Sequence, residues 1–108
     1  MKTEKILLTV SVFAAAALTR FRFVSFGGAL PAAGARVLGI ANTDYDLGEQ
    51  AGVNTHGELL VEAGAAIAAG VEVETDASGR AITKNTGIAF GVSRDAATAA
   101  GEVIRVLR

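Results

Sequence analysis

Apolar and polar residues alternate in short runs along this chain, and glycine interrupts the pattern about every ten residues. The clearest run is Val71–Thr75, in which valine and threonine alternate with glutamate. A period of two residues is typical of a β-strand with one buried face. Glycine is a turn former, and the chain has 13 glycines but a single proline. The pattern predicts an all-β fold, either a small barrel or a sandwich.

Eight segments carry the strand pattern, and turn residues separate them. They are Ile6–Phe13, Thr19–Phe26, Val37–Ala41, Glu58–Glu62, Val71–Thr75, Arg80–Thr83, Ile88–Ser93 and Glu102–Leu107. Asp76–Gly79 has the composition of a hairpin turn, and Asn54–Gly57 is also predicted as a turn. The only helical turn predicted is Ala96–Ala100, with Asp95 as its N-cap and a glycine after it.

The sequence also repeats itself. The matching segments are Val37–Ala41 with Ala89–Ser93, Gly48–Val53 with Gly101–Val106, and more weakly Leu18–Phe23 with Ala68–Val73. The first two pairs are 52 and 53 residues apart, and the weaker pair is 50 apart. The repeat predicts one domain made of two similar β units of about fifty residues, 18–56 and 57–108. Residues 1–17 precede them as an N-terminal strand or arm.

The N-terminal segment has two interpretations. Lys2 and Lys5, the apolar run and the alanines at 14–17 are typical of a secretory signal. The run Ile6–Phe13 also alternates and is rich in β-branched residues, as a strand requires. The first repeat unit would lose its preceding strand if the segment were removed, so we interpret it as structural. We expect it to pair with its own sheet or with a neighbour's, because an apolar edge left bare promotes aggregation. The alternative is an exported periplasmic or surface β-domain with residues 1–17 as its signal.

The charges are unevenly placed, although the net charge is only −1. Residues 37–79 hold eight acidic residues and no lysine or arginine, whereas residues 1–36 hold five basic residues and one acidic residue. Such an asymmetry is typical of a solvated acidic face, and the alternative is complementary patches that meet between subunits or against a larger partner. The sequence contains no basic stripe with interleaved aromatic residues, so direct nucleic-acid binding is not predicted. No apolar run reaches the roughly 18–20 residues that span a bilayer, so no membrane contact is predicted.

Residues that could support catalysis lack the partners that their chemistry needs. The single histidine, His56, has no Gly-x-Ser-x-Gly nucleophile motif to serve. Asp44 and Asp46 lack the spacing of a calcium-binding EF-hand, and there is no cysteine for a thiolate metal site. Lys84 lies near a turn but lacks the flanking residues of a biotinyl or lipoyl carrier. The sequence therefore predicts no enzyme, no cofactor and no metal.

Four segments resemble a known family. They are Val-Glu-Ala-Gly-Ala-Ala-Ile-Ala-Ala-Gly-Val-Glu-Val (61–73), Thr-Asp-Ala-Ser-Gly-Arg-Ala (75–81), Ile-Ala-Phe-Gly-Val (88–92) and Ala-Gly-Glu-Val-Ile-Arg-Val-Leu (100–107). They look like the capsid cement, or head decoration, proteins of tailed bacteriophages. The similarity runs from about Leu18 to the C-terminus, whereas Ile6–Phe13 and Thr19–Phe26 depart from the family pattern.

The resemblance implies a β-rich, non-enzymatic structural protein that is commonly trimeric. Its partner would be the major capsid protein, on the outer surface of the virion, after synthesis in the host cytoplasm. Self-association also agrees with a composition that is 51% apolar in 108 residues. Basic and aromatic residues near the N-terminus are the candidate contacts with the capsid or with another subunit: Lys2, Lys5, Arg20, Phe21, Arg22 and Phe23. The other interpretation of the phenylalanines at 21, 23 and 26 is that they fill the domain's own core.

Overall fold

Eight strands form one sheet in the computed structural model, which describes residues 2–108. They are β1 (Lys5–Phe13), β2 (Phe23–Val24), β3 (Gly39–Ala41), β4 (Gln50–Glu62), β5 (Glu72–Thr75), β6 (Ala81–Thr83), β7 (Gly91–Ser93) and β8 (Val103–Leu107). Their order is β2-β3-β4-β8-β7-β5-β6, and β1 pairs with β4 outside this order. All these pairings are antiparallel. The predicted all-β fold is confirmed.

Strand β4 organises the sheet because three strands pair with it. On one side its first part pairs with β3, where Ile40 lies opposite Asn54, and its last part pairs with β8. Strand β1 runs along the other side, from Lys5 opposite Glu58 to Phe13 opposite Gln50. Within residues 2–108 no strand pairs with the outer side of β1. The predicted N-terminal strand thus lies at an edge of its own sheet, while Met1 of the predicted arm is outside the described residues.

The backbone pairing occurs twice in the chain. Three pairs of directly opposed residues in the first half have counterparts in the second half. Phe13 opposite Gln50 corresponds to Glu62 opposite Val103, Val24 opposite Gly39 corresponds to Val73 opposite Gly91, and Ala41 opposite Val53 corresponds to Ser93 opposite Val106. The bridge Leu18–Tyr45 likewise has its counterpart in Ile67–Ala97. The offsets in the later strands are 52 and 53 residues, as in the sequence repeat, but the earlier strands are 49 apart rather than 50. Strand β4 is long because it ends the first half and begins the second.

Two apolar clusters fill the interior. The larger one surrounds Phe23, whose ring lies 4.9 Å from that of Phe90, centroid to centroid. The smaller one lies between β1, β3 and the start of β4, around Leu18 and Val53. An isolated β-bridge pairs Ala63, just after β4, with Ala81 of β6. Strand β6, the last in the sheet order, therefore lies beside the end of β4. The sheet therefore curls around its larger core.

Several local predictions were wrong or too long, and two predicted strands are shortened, to Gly39–Ala41 and Gly91–Ser93. The segment Ala96–Ala100 is not helical, because the N–H and C=O of Ala97 are both used in the bridge to Ile67. The residues Asn54–Gly57 do not form a turn, since they lie within β4 and pair with β1. The predicted strand Thr19–Phe26 is reduced to two residues, Phe23–Val24.

Candidate functional site

The structure separates the six predicted contact residues. Lys5 and Arg20 are exposed, and Phe21 is half-buried. Lys2 donates a hydrogen bond from Nζ to the carbonyl of Val103, 2.9 Å away. Phe23, by contrast, is only 1% exposed and belongs to the core. A partner cannot reach it there, which corrects its inclusion among the contacts.

Arg22 forms an internal ion pair instead of a free basic surface. Its Nη2 lies 3.3 Å from the Glu62 carboxylate, and Arg80 approaches the same carboxylate at 3.5 Å. A second cluster joins Glu58 and Asp95 through Arg105, with Nη1 3.4 Å from Glu58 and Nε 2.8 Å from Asp95. The acidic residues of segment 37–79, the acidic stretch of the sequence, therefore do not form one acidic surface, because several of their carboxylates pair with arginines from other segments.

The turn formed by Arg20 and Phe21 is the most unusual backbone feature. Phe21 has a φ of 65°, the only positive φ of a non-glycine residue among residues 2–108. Its counterpart in the second half is Gly70, with a φ of 79° and the same hydrogen bond from N–H to the opposing strand. A left-handed conformation costs a side chain about 1–2 kcal/mol, which glycine avoids. The fold accommodates glycine at this turn, yet the first half carries a phenylalanine there.

The Phe21 ring supports a basic group. The guanidinium carbon of Arg20 lies 4.3 Å from the ring centroid, within cation–π range. The Arg20 N–H also donates to a carboxylate oxygen of Asp44 at 2.8 Å. Strained residues concentrate at functional sites, where the conformation serves a purpose beyond stability. The pair presents a charged and an aromatic group together at one exposed turn, a combination suited to protein contact.

An open groove of about 530 Å³ lies where β1, β4, β7 and β8 come together. Its apolar lining is formed by Leu7, Val92 and Leu107, which are 82%, 39% and 45% exposed. Sequence reasoning missed these residues. The available signal was the apolar triplet Ile6-Leu7-Leu8, which breaks the alternation where the pairing with β4 shifts register.

Basic groups line the rim of the groove. Lys5 makes no ion pair within residues 2–108. The Arg108 guanidinium donates to the carbonyls of Leu38 and Thr55, at 3.0 and 3.3 Å, and has no acidic partner among the same residues. Burial, with a smaller contribution from nearby Arg36, lowers the pKa of the Arg108 guanidinium. The carboxylate of Glu58 also borders the groove, but Arg94 and Arg105 both pair with it. The rim is therefore positive.

Two acidic groups with lowered pKa values give the fold a defined pH dependence. The hydrogen bond from the Arg105 side chain holds the pKa of Asp95 well below its usual range. A hydrogen bond from the Thr98 hydroxyl, with those from the N–H groups of Ala99 and Thr98, lowers the pKa of Glu102. A carboxyl with a depressed pKa in the folded state stabilises the fold above its unfolded pKa, near 4, and loses that contribution as the pH falls.

We therefore expect the melting temperature to fall as the pH is lowered below about 5. Asp95→Asn should lower the melting temperature at pH 7 and converge with the original protein in acid, because the charged hydrogen bond is then lost in both. Glu72→Gln is the control, since Glu72 is exposed and makes no ion pair among the described residues. Thermal unfolding followed by circular dichroism across this pH range measures the effect. A constant difference between Asp95→Asn and the original protein at all pH values would contradict it.

Among residues 2–108 there is no helix with the length and apolar character needed to cross a membrane. The same residues contain no cluster of three or more histidine, cysteine, aspartate or glutamate side chains placed to hold a metal ion.

Comparison with known proteins identifies the group to which such a chain belongs. Its fold is similar to the crystal structure of the head fiber gp8.5 N base in bacteriophage phi29, with a TM-score of 0.75 and 19% identity over 92% of this chain and 91% of that one. No curated protein sequence matches. The family model described as phage cement protein matches residues 1–108. The chain therefore belongs to the phage cement proteins, a family of structural proteins associated with the phage capsid.

Proposed function

We propose that this protein binds the outer surface of a phage capsid as a trimer and stabilises it by bridging major capsid subunits, without chemistry of its own. The observation that supports the proposal is the match of a cement-protein family along the whole chain. An exposed aromatic–cationic turn and an exposed apolar edge strand supply surfaces for such contacts.

The turn of Arg20 and Phe21 is our proposed contact with the capsid. The second half forms the equivalent turn with Gly70, so the fold does not require an aromatic ring at this position. Phe21 also adopts the positive φ there at a cost in backbone strain. We leave Arg22 out of this proposed contact because its guanidinium pairs with Glu62. An acidic area on the outer shell would complement Arg20, and the Phe21 ring would supply the buried apolar part of the contact.

The stabilising mechanism is mass action. A ligand that binds only the assembled lattice lowers the free energy of that state by RT ln(1 + [L]/Kd). At a hundredfold excess over Kd this is about 2.7 kcal/mol for each site. Because the lattice repeats the site many times, modest affinity at each one suffices to oppose the pressure of packaged DNA.

The direct test adds the purified protein to heads that lack it and measures the temperature at which they release DNA. We expect the release temperature to rise with occupancy and to level off when the sites are saturated. No shift at saturating occupancy would refute the stabilising role.

Variants of the turn then test the contact itself. Phe21→Gly should change the free energy of unfolding by no more than about 1 kcal/mol, because relief of backbone strain offsets the lost packing. Its affinity for heads should fall about tenfold or more, as should that of Arg20→Glu. Lys84→Glu is the control, since it reverses an exposed charge elsewhere. Unchanged binding by both turn variants would reject this contact while leaving the release experiment to judge the function.

A further inference from the structure

We propose that the apolar groove binds a loop of a second copy of this chain, with Leu47 of that copy inserted among Leu7, Val92 and Leu107. The loop comprises residues 44–49 and is called the acidic loop below. This inference rests on the self-association proposed above, and it specifies which two surfaces of the chain meet.

The groove has the character of a protein contact rather than an ordinary edge. Val92 and Leu107 lie directly opposite each other on β7 and β8, which are inner strands of the sheet, so their exposure is that of a sheet face. Leu7 extends this face from β1 and is 82% exposed. Contiguous apolar surface rimmed by charge marks interaction sites in soluble proteins.

The acidic loop carries features that its fold does not require. Leu47 is 68% exposed, and Asp46 makes no ion pair within residues 2–108. Asp44 and Glu49 likewise make no ion pair there, although each accepts a backbone N–H, from Arg20 and Asp46 respectively. The turn has a counterpart in the second half, where alanines at 99 and 100 replace Asp46 and Leu47.

Both turns are held by the same internal bonds. The carboxylate of Glu49 accepts the N–H of Asp46 at 2.6 Å, and that of Glu102 accepts the N–H of Ala99 at 2.7 Å. The N–H groups of Gly48 and Gly101 each donate to the carbonyl of an alanine, Ala14 and Ala63, at 2.8 Å. Since alanine suffices in one turn, the exposed leucine and the acidic residue beside it in the other serve something outside the fold.

The charges of the two surfaces are complementary. The groove rim carries the side chains of Lys5 and Arg108 without acidic partners among the described residues, because Glu58 is occupied by Arg94 and Arg105. The acidic loop carries three carboxylates without cationic partners. An exposed leucine flanked by acids therefore matches an apolar groove flanked by bases, and such complementarity sets the register of an interface.

The two surfaces lie far apart along β4. The acidic loop immediately precedes Gln50, whereas the groove includes Gly57 and Glu58, about 25 Å further along an extended strand. A copy can therefore offer its loop to one neighbour and its groove to another. This is a head-to-tail contact, which closes into a ring when the rotation between copies allows it. A ring of three agrees with the proposed trimer.

The test uses sedimentation velocity on the purified full chain across micromolar concentrations. The original protein should form a trimer, and Leu47→Asn and Leu7→Asn should each weaken self-association about tenfold or more. Leu30→Asn, which changes another exposed loop leucine, should remain trimeric. An equimolar mixture of the two weakened variants should form a dimer, because the intact groove of one can still bind the intact loop of the other.

Charge exchange provides a second test that is independent of Leu7 and Leu47. Lys5→Glu and Asp46→Lys should each weaken association, and the two substitutions in one chain should restore it. A monomeric original protein, trimers that persist in both leucine variants, or a mixture that forms no dimer would each overturn the contact. Heads tested with the same protein separate the two proposals. A monomer that raises the release temperature rejects this interface and the proposed trimer but not the stabilising role, and a trimer that leaves the release temperature unchanged rejects only the stabilising role.

Discussion

Replacing Phe23 with alanine is expected to lower the free energy of unfolding by about 3–5 kcal/mol. Phe23 is 1% exposed, and its ring packs against Phe90 in the larger core. Truncation removes the buried ring and leaves a cavity that the surrounding strands, tied together by hydrogen bonds, cannot fully collapse. Small domains are stable by only about 5–15 kcal/mol, so the loss is a large part of the total.

Urea unfolding of the purified protein measures this change, and Phe26→Ala is its control. Phe26 is 58% exposed, so its truncation should alter the free energy of unfolding by about 0.5 kcal/mol or less. Equal losses in the two variants would show that the core is not centred on Phe23.

The second large effect is expected from Gly57→Ala, which should cost about 2–4 kcal/mol. Gly57 has a φ of 119°, and a Cβ placed there would overlap the carbonyl oxygen of Lys5 and lie 2.8 Å from the N of Leu7. Both neighbours are backbone atoms of β1, so the clash can be relieved only if the start of β1 moves away from β4. The substitution therefore also disturbs the groove, which Leu7 and Gly57 line together.

Gly70→Ala separates the two causes of this loss of stability, which are the positive φ and the clash of the new Cβ with β1. Gly70 also has a positive φ, 79°, but a Cβ there meets no atom within 4 Å. Its replacement should cost only the backbone strain, about 1–2 kcal/mol. Hydrogen exchange should show faster exchange of the β1 amides in Gly57→Ala and not in Gly70→Ala. Equal losses of stability and equal exchange in both variants would mean that β1 does not press on Gly57.

Local patterns in the sequence were sufficient to predict the fold class. The two-residue period and the glycine spacing depend on neighbouring residues alone, and they predicted most of the strands and the Asp76–Gly79 hairpin correctly. They did not predict the first part of β4, because Gly52 and Gly57 interrupt its pattern. That part is a strand because β1 and β3 pair with its two sides.

Local sequence patterns predicted the candidate site less well than they predicted the strands. Phe21, Phe23 and Phe26 stand close together in the sequence with the same chemistry, but their environments are respectively a strained turn, the core and the surface. The groove could not be predicted, because Leu7, Val92 and Leu107 come from three segments that meet only in the sheet.

The sequence by itself determined that the chain is all-β, that its pattern repeats and that it resembles phage cement proteins, because periodicity, turn chemistry and motifs are local properties. Only the tertiary structure decided which charges remain free for contact. Glu58 and Glu62 belong to the acidic stretch of the sequence, yet both pair with arginines distant in the chain. Asp46 belongs to the same stretch and has no such partner within residues 2–108. The physical reason is that an ion pair depends on distance in space, which strand pairing sets and chain position does not.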